Sequence, residues 1–402
     1  MTLTVVAVAL VLASFGLGAG LSSLARTVAP RFGLVDNPGG RKAHRAPTPL
    51  GGGVAIWLTM LSMLLLGAVV VGAGRFALPE TLARHAGGLW DRSGEMALIF
   101  GLASVVMLMG LADDRFGLGW KLRLGVQTVL SVVLVVSGAQ ITLFWPFNSY
   151  PISFAITVLW VVGLTNAFNF LDNMDGLAAG VGLIAAGLFA SAQLQVGGLF
   201  VPAVLLILVG ALGGFLVQNR YPARLFMGDA GSNFLGFLLG SLTVVGTFTR
   251  PEQGDSPFAV LTPLLVMAVP LYDTTSVILI RLREGRSPFQ ADRSHFSHRL
   301  VDRGLTPPRA VRTIYGVTLA GGLGALLLPS LGPWGAGVVV AQTCCLLGVV
   351  AQLEWSPKRS ERRDGEARSP GETRPEPCSA AAVLDPSGIV DGSTSAVEPR
   401  SG

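Results

Sequence analysis

The stretch GLASVVMLMGLADD, residues 101–114, is an apolar run that ends in two adjacent carboxylates, Asp113 and Asp114. It closes an apolar segment, 96–112, that is close to the length needed to span a bilayer as a helix. Hydrocarbon penalises unpaired carboxylates by about 3 kcal/mol or more, so acidic groups at a membrane boundary indicate a functional site. Asp also occurs in ordinary helix caps and turns, so the rest of the chain has to decide between these interpretations.

Composition places the chain among membrane proteins. Of its 402 residues, 51% are hydrophobic and 13% are charged, and the mean hydropathy is +0.60, whereas soluble domains carry roughly 25% charged residues. Only helices or closed barrels satisfy the backbone in lipid, and alternating ten-residue strands are absent. We therefore predict an all-α, polytopic membrane helix bundle with about eleven spanning helices, or ten if one soft break is not real. The apolar runs are 3–24, 50–73, 96–112, 122–143, 153–171, 177–194, 198–218, 233–249, 259–280, 312–330 and 333–353.

The distribution of basic residues predicts the orientation. With the N-terminus outside, the inside loops contain 18 Lys and Arg residues and the outside loops contain 4. This bias indicates an outer N-terminus, a cytoplasmic C-terminus and a multi-pass protein of the cell (inner) membrane. The first run has no basic residues before it, which favours a retained helix over a cleaved signal peptide. The pI near 9.5 reflects this topology, and we predict no nucleic-acid partner.

Two regions follow from the change in composition near residue 355. Residues 1–354 are predicted to form one membrane-embedded domain. Residues 355–402 are rich in Ser, Pro, Gly, Glu and Arg, which predicts a disordered cytoplasmic tail. The three cysteines, Cys344, Cys345 and Cys378, indicate neither a disulfide framework nor a metal site.

The first two inside loops contain candidate phosphate and metal contacts. In GLVDNPGGRKAHRAPTPLGGG, residues 33–53, Lys42 and His44 lie beside glycines, a pattern suited to phosphate contacts. An ordinary positively charged loop at the membrane surface is the alternative. In the second loop Asp113 and Asp114 repel each other, so a cation has to compensate them. Either Mg²⁺ or the Lys121 side chain could supply this positive charge.

A third cluster, NAFNFLDNMDGLAAG at 166–180, is the most informative. On a helix, Asn166, Asn169 and Asn173 share one stripe, with Asp172 at its edge. Amides and carboxylates at the end of a spanning helix need an internal partner such as water, a cation or a substrate. Hydrogen bonds between helices are the alternative use of the asparagines.

The fourth and fifth clusters lie in the last two inside loops. In RLFMGDAGSNFLG, 224–236, Asp229 lies between glycines near a helix start, where it could bind a cation or cap the helix. The loop RLREGRSPFQADRSHFSHRLVDRGL, 281–305, contains His295 and His298 among arginines suited to a diphosphate. No third ligand is spaced for zinc.

Together the five clusters predict Mg²⁺-dependent phosphoryl transfer at the inner membrane surface. Cations stabilise the charge that develops on phosphoryl oxygens, and a membrane-embedded site suits a lipid substrate. A multi-helix transporter is the alternative from another class. Transporters place polar groups near the bilayer midplane, whereas here they cluster at predicted helix ends.

At these residues the chain resembles the polyprenyl-phosphate N-acetylhexosamine-1-phosphate transferases over about residues 30–310. The resemblance implies ten or eleven helices, a cytoplasmic site and Mg²⁺, with Mn²⁺ as an alternative. It also implies transfer of a sugar 1-phosphate from a UDP-sugar donor to undecaprenyl phosphate, a membrane lipid, with release of UMP. The reaction would be the first membrane step of a cell-envelope glycan pathway, and a homodimer is left open.

The resemblance assigns roles residue by residue. It implies that Asp113, Asp114, Asp172 and Asp175 are catalytic and that Asn169 and Asp229 bind the metal. It implies that the following residues bind substrate: Lys42, His44, Lys121, Asn166, Asn173, Arg293, His295, His298 and Arg299.

Three departures from the family pattern leave the exact sugar open: Asn173 in the aspartate run, Leu50 after Pro49, and Ser297 where related enzymes often have a histidine. The three consecutive histidines of the phospho-MurNAc-pentapeptide transferase branch are missing. The N-acetylglucosamine branch is therefore expected, with phospho-MurNAc-pentapeptide transfer as the alternative.

Overall fold

A computed structural model describes residues 3–37, 47–73, 87–88, 90–141, 149–248, 254–288 and 294–355. Within these residues nearly all regular structure is helical, which confirms the predicted all-α class. The α-helices are α1 (Leu3–Val28), α2 (Gly52–Ala73), α3 (Ser93–Phe116), α4 (Trp120–Val136), α5 (Tyr150–Leu171), α6 (Leu177–Gln195), α7 (Phe200–Asn219), α8 (Gly228–Val245), α9 (Thr262–Val266), α10 (Ala268–Arg283), α11 (Phe296–Asp302), α12 (Pro307–Ala325) and α13 (Pro333–Trp355). Short 3₁₀ helices lie at Ala29–Phe32, Pro257–Leu261 and Leu328–Ser330.

Every predicted apolar run overlaps one of these helices or a pair of them. Among the described residues, eight helices are long and apolar enough to cross a membrane, and a bent pair would make a ninth. That pair joins Pro257–Val266 to Ala268–Arg283 at an angle of 60°. Two further predicted spans, α4 and α8, have only 17 and 18 residues because both begin within the polar cluster described below. The protein is therefore polytopic, and eight or nine spans within the described residues meet the criteria of length and hydropathy.

Helix α8 lies at the centre of the bundle, against α2, α3 and α5. Its residues from Ala230 to Thr243 are all buried, which explains why it consists of small and apolar residues. Glycines allow backbones to approach closely here: a Cβ atom on Gly53 of α2 would lie 2.2 Å from the nitrogen of Gly231. Small residues at helix contacts are the usual route to tight packing in lipid.

A small antiparallel ladder connects the first inside loop to the start of α8. Strands β1 (Val35–Asp36) and β2 (Thr48–Pro49) pair Val35 with Pro49. The next residues pair with the segment before α8, where the Phe226 amide donates to the Pro49 carbonyl at 2.9 Å. The ends of the first loop are thus attached to the chain that leads into Asp229.

Two predictions on the organisation of the chain fall outside the described residues. The predicted tail lies beyond them except for Trp355, which is the last residue of α13. Lys42 and His44 also lie outside them, between the two strands.

Candidate active site

The polar residues predicted from the sequence lie at helix ends that face the same side of the bundle. They belong to the C-terminal ends of α3 and α5, the N-terminal ends of α4 and α8, and the turn between α5 and α6. These ends and helix α11 touch through hydrogen bonds of side chains, with partners separated by up to 124 residues in sequence. Because successive helices alternate in direction, this arrangement places one polar site at one end of the bundle.

Arg123 joins two of the acidic groups. Its guanidinium Nη1 lies 2.5 Å from Asp113 Oδ2 and 3.2 Å from Asp229 Oδ2. The other oxygen of Asp113 accepts the Leu118 amide at 2.5 Å, within the turn between α3 and α4. Asp113 is thus a buried carboxylate that orders this turn and holds Arg123 against Asp229.

The basic neighbour of the acidic pair is therefore Arg123, and the prediction of Lys121 in that position was wrong. Lys121 is exposed on the first turn of α4, with its Nζ 5.7 Å from the centre of the Trp120 ring. Residues 121 and 123 are two apart on one helix, so their side chains point in different directions.

Asp114 caps the N-terminus of α8. Its two carboxylate oxygens accept the backbone amides of Asp229 at 2.8 Å and Ala230 at 3.1 Å. Helix N-termini carry unpaired amides and a partial positive charge, so a carboxylate is stabilised there. Gly228 makes this contact possible: its φ is +71°, and a Cβ atom there would lie 2.6 Å from Asp114 Oδ2. The residue that caps α8 is therefore Asp114 of α3. Asp229, which the sequence allowed as either a cap or a cation ligand, does not cap the helix.

Asp229 lies in the first turn of α8, with its carboxylate between Arg123 and Asn169. The Asn169 amide donates to Asp229 Oδ1 at 2.6 Å and to Ser232 Oγ at 3.1 Å. Asn169 belongs to the last turn of α5, so the contact joins α5 to α8. The two predicted metal ligands are thus adjacent in the structure.

A buried chain of amides supports this contact from behind. Asn166 donates to Gln127 Oε1 at 2.7 Å, and Gln127 donates to Asn233 Oδ1 at 3.1 Å. Asn233 in turn donates to the Asp229 carbonyl at 2.7 Å. Asn166 is therefore engaged between helices, the alternative that the sequence had left open for the asparagines. Gln127 and Asn233 were missed because single amides within apolar runs give no signal of their own.

Helix α5 ends at Leu171, so the predicted stripe of three asparagines does not exist as such. Asn173 lies beyond the helix, in the turn before α6, and accepts the hydroxyl of Ser297 at 2.5 Å. The turn conformation begins at Asp172, whose ψ of 48° is not helical. Asn173 thus joins this turn to Ser297 of α11 instead of lying beside Asn166 and Asn169.

Asp172 and Asp175 have different environments in the same turn. Asp175 Oδ2 accepts the Ala223 amide at 2.9 Å, which ties the turn to the segment after α7. The Asp172 carboxylate makes no hydrogen bond to the described residues. Its burial, with the charges of Asp114 and Asp175 nearby, raises the pKa of Asp172 to about 7.

The histidine loop, residues 294–299, is attached to α10 through Asp273. His295 Nδ1 lies 3.0 Å from Asp273 Oδ2, and the Phe296 amide donates to Asp273 Oδ1 at 2.6 Å. The imidazole also contacts the ring edge of Phe170, with the two ring centres 5.7 Å apart. His295 thereby contacts the last turn of α5, the turn that also carries Asn169. Sequence reasoning missed Asp273 because it is a single acidic residue inside an apolar run.

Arg299 has a different environment from the one predicted. It forms an ion pair with Glu354 near the end of α13, Nε to Oε2 at 2.9 Å. Its other nitrogens donate to the Ser294 carbonyl and to Ser276 Oγ. These contacts attach the histidine loop to α10 and α13. The structure therefore gives Arg299 a scaffolding position, while its predicted contact with substrate stays a prediction.

Of the other predicted substrate contacts, His298 lies half-buried in α11, and Arg293 lies outside the described residues. Their roles stay predictions.

The donor set fits Mg²⁺ bound with substrate phosphates. No group of three or more His, Cys, Asp or Glu side chains suited to a metal occurs in the described part of the chain. Mg²⁺ does not need one, because it is commonly held by one or two carboxylates, phosphates and water. Asp229 supplies a carboxylate, and Asn169 supplies an oxygen if its amide rotates. Arg123 is the only basic side chain that pairs with Asp113 and Asp229 in the described part of the chain, and Asp114 binds backbone amides, so these three carboxylates carry more negative charge than Arg123 neutralises.

Comparison of the sequence with known proteins identifies a family and several relatives. A family model described as glycosyl transferase family 4 matches residues 96–247, which run from α3 to the end of α8. The chain is 36% identical over 315 residues to a decaprenyl-phosphate N-acetylglucosaminephosphotransferase of Mycolicibacterium smegmatis, covering 72% of this chain and 74% of the relative. It is 30% identical over 322 residues to the undecaprenyl-phosphate alpha-N-acetylglucosaminyl 1-phosphate transferase of Escherichia coli K12, covering 77% and 78%.

A probable undecaprenyl-phosphate N-acetylglucosaminyl 1-phosphate transferase of Bacillus subtilis is 28% identical over 339 residues, covering 83% of this chain and 88% of the relative. The region that the family model matches contains the acidic pair, the asparagine and aspartate run and the Asp229 segment. The chain therefore belongs to glycosyl transferase family 4, among the polyprenyl-phosphate N-acetylhexosamine-1-phosphate transferases.

Proposed function

We propose that this protein transfers N-acetylglucosamine 1-phosphate from UDP-N-acetylglucosamine to a polyprenyl phosphate and releases UMP. An oxygen of the lipid phosphate attacks the β-phosphorus, and the bond from that phosphorus to the bridging oxygen breaks. The observation that carries the proposal is the cluster of carboxylates, amides and one guanidinium at adjoining helix ends. The names of the relatives supply the sugar and the lipid.

The position of the cluster suits a reaction between a soluble donor and a lipid acceptor. A lipid phosphate lies at the membrane surface, which is where spanning helices end. Arg123 can neutralise charge on a transferring phosphoryl group, and it is already held by Asp113 and Asp229. We propose that this end of the bundle faces the cytoplasm, where UDP-sugars are made, as the 18 inside basic residues support.

Asp172 differs from the acidic pair in the hydrogen-bond partners of its carboxylate. The oxygens of Asp113 and Asp114 accept hydrogen bonds from Arg123 and from backbone amides. Asp172 has no such partner among the described residues. We therefore propose Asp172 as the group that accepts a proton from the lipid phosphate or orients it, in place of the predicted acidic pair.

Mg²⁺ would be held by Asp229 and Asn169 and would neutralise the diphosphate. The chain itself contributes the rest of the arrangement: Asp114 fixes the first turn of α8, and the buried amides of Gln127 and Asn233 hold the contact between α5 and α8.

The test is a transfer assay with purified protein, labelled UDP-N-acetylglucosamine, undecaprenyl phosphate and Mg²⁺. We expect a labelled lipid diphosphate and one UMP for each sugar transferred. Asp229→Ala should abolish turnover, whereas Asp302→Ala, an exposed aspartate of α11, should not change it. Absence of transfer by the unaltered protein, or full activity of Asp229→Ala in saturating Mg²⁺, would contradict the proposal.

A donor panel under the same conditions distinguishes the sugar from the reaction class. UDP-N-acetylglucosamine is expected to be used. Turnover with UDP-MurNAc-pentapeptide alone would change the donor and leave the transfer reaction standing. Export of a labelled solute without any transfer would instead favour the transporter alternative.

A further inference from the structure

Asp273 is one of the least exposed carboxylates in the described part of the protein. It lies on α10 at 1% exposure, and both of its oxygens are engaged by the histidine loop. Oδ1 accepts the Phe296 amide at 2.6 Å, and Oδ2 lies 3.0 Å from Nδ1 of His295. A buried carboxylate is costly unless it is paired, so this pair requires an explanation.

The hydrogen bond to Asp273 determines which nitrogen of His295 carries the proton. A carboxylate only accepts, so Nδ1 has to donate, and in the neutral ring Nε2 is left without a hydrogen. Nε2 has no hydrogen-bond partner among the described residues. It is also absent from their fully buried unpaired polar atoms, so it keeps some exposed surface.

The surroundings of the imidazole restrict its orientation. The ring packs against the edge of Phe170, and the guanidinium carbon of Arg281 lies 5.5 Å from the centre of that same phenyl ring. The charged groups near this pocket are Asp273 and Arg281 from α10 and Arg299 from α11. The side chain of His295 is 9% exposed, so only a small edge of the ring can reach a ligand.

We propose that Asp273 is a positioning residue for the UDP-sugar, which holds His295 with Nε2 as a hydrogen-bond acceptor facing the substrate site. Such an acceptor takes an O–H or N–H group, which the uridine and the N-acetylhexosamine have and the diphosphate lacks. His295 therefore contacts one of these two parts of the donor and not its diphosphate. The proposal rests on the proposed function, since it names the part of the donor that this residue recognises.

The variant Asp273→Asn distinguishes control of the His295 tautomer from a purely structural role of Asp273. Asparagine has the same shape but only one acceptor oxygen, and the Phe296 amide requires it. The amide nitrogen would then donate to Nδ1 of His295, which moves the ring proton to Nε2 and removes the acceptor. We expect kcat/KM for the UDP-sugar to fall roughly 10- to 100-fold, the loss typical when the hydrogen-bond partner of a metal-bound histidine is replaced. The KM for polyprenyl phosphate should not change.

The direct measurement is nitrogen NMR of the full-length protein in detergent, labelled with ¹⁵N-histidine. The chain has only four histidines, and His295→Gln identifies the signal. The unaltered protein should show His295 protonated at Nδ1 when neutral, and Asp273→Asn should show it protonated at Nε2. This result needs no turnover, so it stands or falls separately from the proposed function.

Asp302→Asn is the matched control, because it makes the same change at an exposed aspartate of α11. It should alter neither the tautomer nor the kinetics. A neutral His295 protonated at Nε2 in the unaltered protein would overturn the proposal. So would equal kinetics of Asp273→Asn and Asp302→Asn, or an equal loss for donor and acceptor. Should Asp273→Asn not fold, the spectrum of the unaltered protein still decides.

Discussion

Each of the two adjacent aspartates at the end of α3 holds a different neighbour. Asp113 faces α4 and binds Arg123, whereas Asp114 faces α8 and accepts its first free amides. Successive helical residues are about 100° apart, so two adjacent carboxylates can serve two different helices. The two aspartates thus connect α3 to α4 and to α8, and they are not two equivalent bases.

This difference predicts distinct effects of the two asparagine variants. Asp114→Asn keeps one acceptor and brings an N–H group toward the amides of α8, which should cost about 1–3 kcal/mol of stability. Asp113→Asn should loosen Arg123 and lower kcat far more than it raises the KM for the UDP-sugar. Thermal unfolding in detergent and steady-state kinetics would measure both. A pure KM effect at either position would reassign that residue to substrate binding.

The raised pKa of Asp172 predicts a pH-dependent stability. The folded pKa is about 7 and the ordinary value is 3.8, so the folded protein favours the neutral carboxyl. The destabilisation by this residue grows as pH rises from 3.8 to about 7, and then stays level. Asp172→Asn removes it.

Without divalent cations, Asp172→Asn should therefore raise the melting temperature more at about pH 8 than at about pH 5, while abolishing turnover. Differential scanning fluorimetry of both proteins at both pH values tests this. The same increase at both pH values would show that Asp172 does not titrate in this range.

At the scale of elements, helix α13 contacts the site although it carries none of the five polar clusters found in the sequence. Glu354 near the C-terminal end of α13 pairs with Arg299 and also accepts the hydroxyl of Tyr272 at 3.2 Å. Arg299 belongs to the histidine loop, and Tyr272 lies on α10, which carries Asp273. The position of His295 thus depends on a residue at the edge of the predicted tail.

One truncation and one substitution test this dependence. Removal of residues 356–402 should leave turnover unchanged, because Glu354 remains. Glu354→Ala in the full chain should destabilise the protein by about 3–5 kcal/mol, the usual cost of leaving one partner of a buried ion pair alone. It should also raise the KM for the UDP-sugar. Equal behaviour of the truncated protein and Glu354→Ala would contradict the role given to this ion pair.

At the scale of the whole molecule, the alternation of helix directions brings all polar ends together, and the basic residues predict that this end is cytoplasmic. Cys378 provides a test, because it lies in the predicted tail. In a Cys344→Ser, Cys345→Ser background, Cys378 should react with an impermeant maleimide only after cells are permeabilised. Ser149→Cys, at the other end of α5, should react in intact cells. The reverse pattern would invert the topology.

The sequence by itself determined the class, the helices and most of the site. Long apolar runs allow only helices in lipid, and their ends could be predicted because charged and amide residues are excluded from hydrocarbon. The clusters around Asp113, Asn169, Asp229 and His295 could be found for the same reason, since polar residues are conspicuous in an apolar chain.

Only the tertiary structure decided which of these groups are partners. Arg123 and not Lys121 reaches the acidic pair, Asp273 orients His295, and Glu354 holds Arg299. Each of these contacts joins residues of different elements, or depends on the direction in which a side chain leaves its helix. Sequence spacing reports neighbours on one helix, whereas the packing of helices determines which faces meet.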